Sequence, residues 1–289
     1  MLRRTVTALT GLAALTAAQA APAGATPVER SWRPVVMAAL GDSISAGFNA
    51  CGWYVTCASR SWSTGEHRDV RSHYLRLRAL DVALAGHNVN LAVPGSTSAD
   101  LAGQVTQAID HRADYVTLLI GAQDVCVSEE RLMTPVAVYE SRVAGALGLL
   151  RAGRPDARVF VASIPDLRRL WQTGRDNLVA RGFWEVGRIC PTMLARPTST
   201  SAADQARRDR VRDRVIGFNA ALARVCAAYG PNCRFDGNEV FRQAFTLSHI
   251  SKWDFFHPNA AGQRLIAEKT YGAMRDWLAE EEPVPVLAP

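Results

Sequence analysis

The chain has 289 residues, enough for one large domain or two small ones with a substantial core. With 48% hydrophobic and 21% charged residues it is close to the globular average, which excludes wholesale disorder and a fibrous repeat. The net charge of +6 is almost entirely arginine, but those arginines alternate with acids, as in Arg207-Arg208-Asp209-Arg210, and form no basic stripe interleaved with aromatics, so nucleic acid is not the expected partner.

Residues 1–25 read as a secretory signal peptide. Arg3 and Arg4 supply the positive end, Val6 to Ala18 form a short apolar stretch, and small-residue cleavage sites follow at Ala18-Gln19-Ala20 or Ala23-Gly24-Ala25. The stretch is too short to span a bilayer. Cleavage removes two arginines and no acid, lowering the charge from +6 to +4. The expected location is extracellular.

Beyond the leader, strand-like and helix-like segments alternate. Residues 35–40 form a continuous apolar run closed by Gly41-Asp42-Ser43, a buried strand entering a turn. A helical segment covers 72–85. A second strand at 89–93 is closed by Pro94-Gly95. A helix follows over 98–111, with Ser98 as its candidate cap and Leu101, Val105 and Ile109 on one face. Further strands fall at 115–120 and 158–164, separated by a helix over 136–151. A long helix covers 204–229, a short strand 234–236, and a last helix runs from Pro258, suited to a first helical position, to about residue 281. This alternation predicts an α/β fold with a mostly parallel central sheet covered on both faces. It forms a single domain over residues 34–282, with 166–203 as an insertion and 283–289 as a flexible tail.

Six cysteines, Cys51, Cys57, Cys126, Cys190, Cys226 and Cys233, fit an exported protein with disulfides. Of the 15 possible pairings, spacing favours the short loops 51–57 and 226–233, leaving 126–190. No Cys-x-x-Cys pair occurs and no histidine stands at ligand spacing beside them, so no metal is expected.

In a parallel sheet, ligands bind where strands deliver their carboxyl ends into loops. The first strand delivers Gly41-Asp42-Ser43, the second Pro94-Gly95-Ser96, the third Gly121-Ala122-Gln123-Asp124, and Asp254-Phe255-Phe256-His257-Pro258 precedes the last helix. A hydroxyl, a glycine amide, a side-chain amide and a carboxylate–imidazole pair therefore arrive at one edge, the parts acyl transfer needs. Ser43 needs a base. His257 can take its proton if Asp254, three residues earlier, holds the other ring nitrogen as a donor. The amide of Ser43 at a helix start, the amide of Gly95 and the side chain of Gln123 are the candidate oxyanion donors. The rate should fall as pH drops through the ordinary imidazole range, because a protonated His257 is no base. Ser45 is a competing hydroxyl. His67, His73, His87, His111 and His249 have no matched partners and read as surface or loop residues. Trp53, Tyr54, Trp62, Trp171, Phe183 and Trp184 either line an acyl pocket or fill a core under long loops.

Four blocks in this order resemble the SGNH/GDSL hydrolases over nearly the whole mature chain, closest to secreted actinobacterial esterases and lipases and the phospholipase B-like branch. The resemblance implies a three-layer α/β/α, flavodoxin-like fold and a secreted carboxylic-ester hydrolase with Ser43 as nucleophile, His257 as base and Asp254 as its orienter. It implies no cofactor, a small-molecule or lipid ester as substrate, at most transient contact with a membrane surface, and a monomer. One position departs: the family carries Asn where this chain has Gln123, one methylene longer, which serves only if the loop is drawn back or the side chain folds. Asp124 reads as a brace for that loop. A non-catalytic binding protein weakened at Gln123, or an acyltransferase using the same acyl-enzyme, would share these residues.

Overall fold

In this computed structural model the described residues are 32–279, so the segment read as a signal peptide (1–25) and the tail (283–289) lie outside them. Five strands appear: β1 (Met37–Gly41), β2 (Asn88–Asn90), β3 (Tyr115–Leu119), β4 (Arg158–Val161) and β5 (Cys233–Phe235). All neighbours are parallel, in the order β2-β1-β3-β4-β5. The order reverses between β1 and β3, so the chain leaves a crevice above their carboxyl ends, as in flavodoxin-like folds.

The helices are α1 (His73–Leu80), α2 (Leu101–Asp110), α3 (Ala122–Val125), α4 (Val136–Gly153), α5 (Leu167–Gly174), α6 (Leu178–Val186), α7 (Pro191–Leu194), α8 (Ala202–Tyr229), α9 (Glu239–Arg242) and α10 (Ala260–Ala279). Strand side chains alternate between two cores, as the pleat requires. Ala38, Leu40, Val116, Leu118, Val159 and Val161 pack with residues of α2, α4 and α8. Met37, Tyr115, Leu119 and Phe160 point the other way and pack with residues of α1 and α10. Three layers result, and β1 and β3 are buried along their whole length. The continuous apolar runs in the sequence reflect that two-sided cover.

Residues 166–203 contribute α5, α6 and α7, and Trp171 and Trp184 enter the same core as α8. Trp62 is buried in the second core, whereas Trp53 and Tyr54 are exposed. Trp62, Trp171 and Trp184 thus fill the core, Trp53 and Tyr54 stand at the rim beside the turn after β1, and Phe183 is exposed on α6.

Four local expectations are corrected. Ser43 does not begin a helix, because residues 43–50 form successive turns. Ser98 does not cap α2; its amide and hydroxyl bind Asp124 at 2.8 and 2.7 Å, where a buried carboxylate outcompetes a helix end. Pro258 is not the first helical residue. It bridges Ile250 in antiparallel fashion, and the oxygen of Asn259 caps α10 by accepting from the amides of Ala261 and Gly262 at 2.9 and 3.0 Å. His73 is not at the surface; it is fully buried, with Nδ1 3.0 Å from the Tyr115 hydroxyl and Nε2 2.7 Å from the Thr270 hydroxyl. Thr270 donates its own proton to the Ile266 carbonyl, so it accepts from Nε2 and Tyr115 donates to Nδ1. Burial, aided by the charge of Arg76, pushes the imidazole down to a pKa of about 3, so a neutral ring pins α1 to β3 and α10.

Candidate active site

At the carboxyl end of β1 the backbone must pass within contact of β3. Gly41 has φ +134°, and a Cβ there would lie 1.9 Å from the Leu119 carbonyl oxygen. Only glycine leaves that room. The side chain of Gln104 on α2 brackets the same residue, accepting from the Gly41 amide at 2.7 Å and donating to its carbonyl at 2.9 Å. Asp42 then closes an Asx turn on the Ile44 amide at 2.9 Å, and Ser43 stands half-buried at the crevice.

The structure brings Ser43, His257 and Asp254 together. Nε2 of His257 lies 2.7 Å from the Ser43 hydroxyl, which can donate to it, and Nδ1 donates to Asp254 at 2.5 Å. Asp254 also accepts from the Phe256 and His257 amides at 2.9 and 3.1 Å and from Nδ2 of Asn49 at 2.6 Å. Four donors thus surround a carboxylate that is almost fully buried. Phe48 and Phe256 flank the imidazole edge-to-face, each with ring centroids at 5.0 Å. Gln263 ties α10 to the segment after β1, donating to the Ile44 carbonyl at 2.8 Å and accepting from the Trp62 amide at 2.9 Å. Ser45 faces inward, its hydroxyl on the Leu119 carbonyl at 3.4 Å.

Gly95, with φ +86°, and Gln123 line the same pocket of about 370 Å³ as Ser43 and His257. Gln123 is exposed, its amide nitrogen 3.5 Å from the Cys126 carbonyl. Asp124 is buried behind it and holds the α3 loop through Ser98. Cys51 is joined to Cys57, Cys126 to Cys190 and Cys226 to Cys233. The first bridge closes the loop after Ser43, the second ties the end of α3 to the start of α7, and the third ties α8 to β5. Among the described residues no group of three or more His, Cys, Asp or Glu is placed to hold a metal ion.

Asn49, Gln104 and Gln263 escape a motif search. The two glutamines carry a usable signal nonetheless: each is a polar residue on a buried helix stripe, Gln104 with Leu101, Val105 and Ala108, and Gln263 with Ile266, Ala267 and Thr270. Asn49, in a turn with φ +64°, carries none.

Burial raises the Asp42 carboxyl to a pKa of about 6, against the lowering effect of its bond to the Ile44 amide and the charge of His257. Its folded value thus lies above the ordinary 3.8, so the native state binds the proton more tightly than the unfolded chain and stability falls as pH rises from about 4 to 6. Two units correspond to about 3 kcal/mol. In Asp42→Asn that slope disappears. Between pH 4 and pH 7 the variant should gain about 2 to 3 kcal/mol on wild type in urea unfolding, and an unchanged difference would refute the assignment.

An arrangement of hydroxyl, imidazole and carboxylate in this order can generate an alkoxide-like nucleophile and return its proton to a leaving group. The sequence profile of the GDSL-like lipase/acylhydrolase family matches residues 39–265. No curated protein sequence matches significantly. Among solved structures, a catalytic mutant of an acetylxylan esterase from Geobacillus stearothermophilus is similar at 15% identity, covering 82% of this chain and 93% of its own, with a TM-score of 0.51. An extracellular lipase from Streptomyces rimosus is similar at 16% identity, covering 82% and 98%, with a TM-score of 0.47. A family 3 carbohydrate esterase from Clostridium thermocellum is similar at 15%, covering 86% and 99%, with a TM-score of 0.49. At such identities the likeness concerns the fold. With the family profile spanning all four sequence blocks, from within β1 to within α10, the chain belongs to the GDSL-like lipase/acylhydrolase family and is an ester-bond hydrolase.

Proposed function

We propose that this protein is an exported serine esterase of the lipase type, working through Ser43, His257 and Asp254. The observation that carries the reading is the unbroken hydrogen-bonded chain from the Ser43 hydroxyl through both ring nitrogens of His257 to Asp254. Ser43 Oγ attacks the ester carbonyl as its proton passes to Nε2. The amides of Ser43 and Gly95 and the side chain of Gln123 receive the developing oxyanion. Collapse breaks the ester C–O bond, the Nε2 proton leaves with the alcohol, and an acyl-Ser43 remains. Water, deprotonated by the now neutral His257, adds to the acyl carbon; collapse breaks the acyl C–Oγ bond, the Nε2 proton returns to Ser43 Oγ, and the acid is released. Asp254 fixes the ring with its Nδ1 proton inward, and Asn49 steadies Asp254 from the side.

Aromatic and aliphatic side chains at the pocket and an apolar cleft beside it support acyl glycerols and phospholipid acyl esters over acetylated polysaccharides. Phe48, Tyr54, Ile189 and Phe256 line the pocket, and Phe256 also borders an apolar cleft with Ile44, Leu167, Leu170 and Phe245. Export is supported by the charged, apolar and small-residue order of residues 1–25 and by the three disulfides. A fluorophosphonate probe tests the reading, since Oγ must displace fluoride to form the covalent Oγ–P bond. Peptide mapping should place the adduct on Ser43, and a protein that stays unlabelled, or is labelled on another residue, would overturn it.

A further inference from the structure

One cation faces this pocket without a counter-ion. Arg188, in the turn between α6 and α7, lines the cavity with Ser43, Gly95, Gln123 and His257, and no Asp or Glu is among the lining residues. Among the described residues its guanidinium makes no ion pair or hydrogen bond. Several other surface arginines are matched with acids, as in Arg210 with Glu130, Arg212 with Asp166 and Arg224 with Glu140. The turn is also conformationally costly: Arg188 and Cys190 have φ of +48° and +43°, a region side-chain-bearing residues rarely occupy.

What holds the turn there also aims it. The Ile189 amide donates to the Trp184 carbonyl at 3.1 Å, and Cys190 is bridged to Cys126 at the end of α3. The indole of Trp184 donates to the Phe255 carbonyl at 3.0 Å, two residues from His257. Arg188 is therefore mounted on backbone tied directly to both sides of the site. Its exposed, unpaired guanidinium, carried on a backbone held at the pocket rim, fits an oxyanion group with two acceptor oxygens.

We propose that Arg188 recognises an anionic substituent, phosphate or carboxylate, on the ester substrate and makes this enzyme prefer anionic amphiphilic esters to neutral ones. This rests on the esterase reading above and names its substrate class.

The test compares three water-soluble substrates with one acyl chain: butanoylglycerol, butanoylglycerol phosphate and butanoyl glycerate. In wild type, kcat/KM for at least one anionic ester should exceed that for the neutral ester by about tenfold at low salt, the ratio shrinking as salt is added. Which anion leads identifies the substituent. Arg188→Asn, chosen because Asn tolerates a left-handed backbone, should bring the ratio to about one. Arg188→Lys should keep part of it and Arg188→Glu should invert it. A wild-type ratio of about one, or a ratio that survives Arg188→Asn, overturns the assignment while turnover of butanoylglycerol leaves the esterase reading intact. Absence of turnover on all three, with no fluorophosphonate adduct on Ser43, removes both.

Discussion

Replacing Ser43 by alanine lowers kcat on a soluble butanoyl ester by about 10⁴-fold or more, with KM little changed. Among the described residues, the Ser43 hydroxyl, 2.7 Å from Nε2, is the one hydroxyl hydrogen-bonded to that imidazole. Without it the imidazole has no proton to take and no acyl-enzyme forms. What rate survives comes from substrate held beside the oxyanion donors, with water attacking directly. Ser45 cannot substitute, because it is fully buried and its hydroxyl points at the Leu119 carbonyl. Progress curves at saturating substrate measure the effect, and a Ser43→Ala enzyme retaining a tenth of its turnover would refute the proposed nucleophile.

Removing the Cys126–Cys190 bridge, as Cys126→Ala with Cys190→Ala, costs about 4 kcal/mol of stability on the chain-entropy account, because the bridge spans 64 residues. Removing Cys226–Cys233, which spans only 7, costs about 2 kcal/mol on the same account. Urea unfolding of both double variants reads the order directly, and equal losses would show that strain or packing, not loop closure, dominates. The longer bridge also anchors the α6–α7 turn, so its loss should depress kcat/KM at temperatures well below unfolding. Loss of the shorter bridge, which lies between α8 and β5, should leave kcat/KM unchanged.

Much of this architecture is legible in the chain. The apolar runs ending in Gly41 and Leu119 announce buried parallel strands because both faces are covered, and the blocks at their ends mark the crevice. Ser98, Pro258 and His73 read differently in the structure for one common reason. In each case a partner outside the local pattern decides the residue's place: Asp124 for Ser98, Ile250 across a β-bridge for Pro258, and Tyr115 with Thr270 for His73. Local propensity carries no information about a partner 26 or 197 residues away. Asn49 and Arg188 were silent for a related reason. Their significance depends on what the fold sets beside them, a buried carboxylate in one case and a pocket without acids in the other.

The contact between Ser43 and His257 joins positions 214 apart, one at the first strand and the other just before the last helix. Synthesis proceeds from the amino end, so the hydroxyl exists long before its base does. Until residues near 257 have emerged, a growing chain holds every strand of the sheet but not the proposed ester-cleaving centre. On the proposed triad, premature termination before His257 yields an inert protein rather than a partly active one, so the hydrolase is harmless to its surroundings until it is nearly complete.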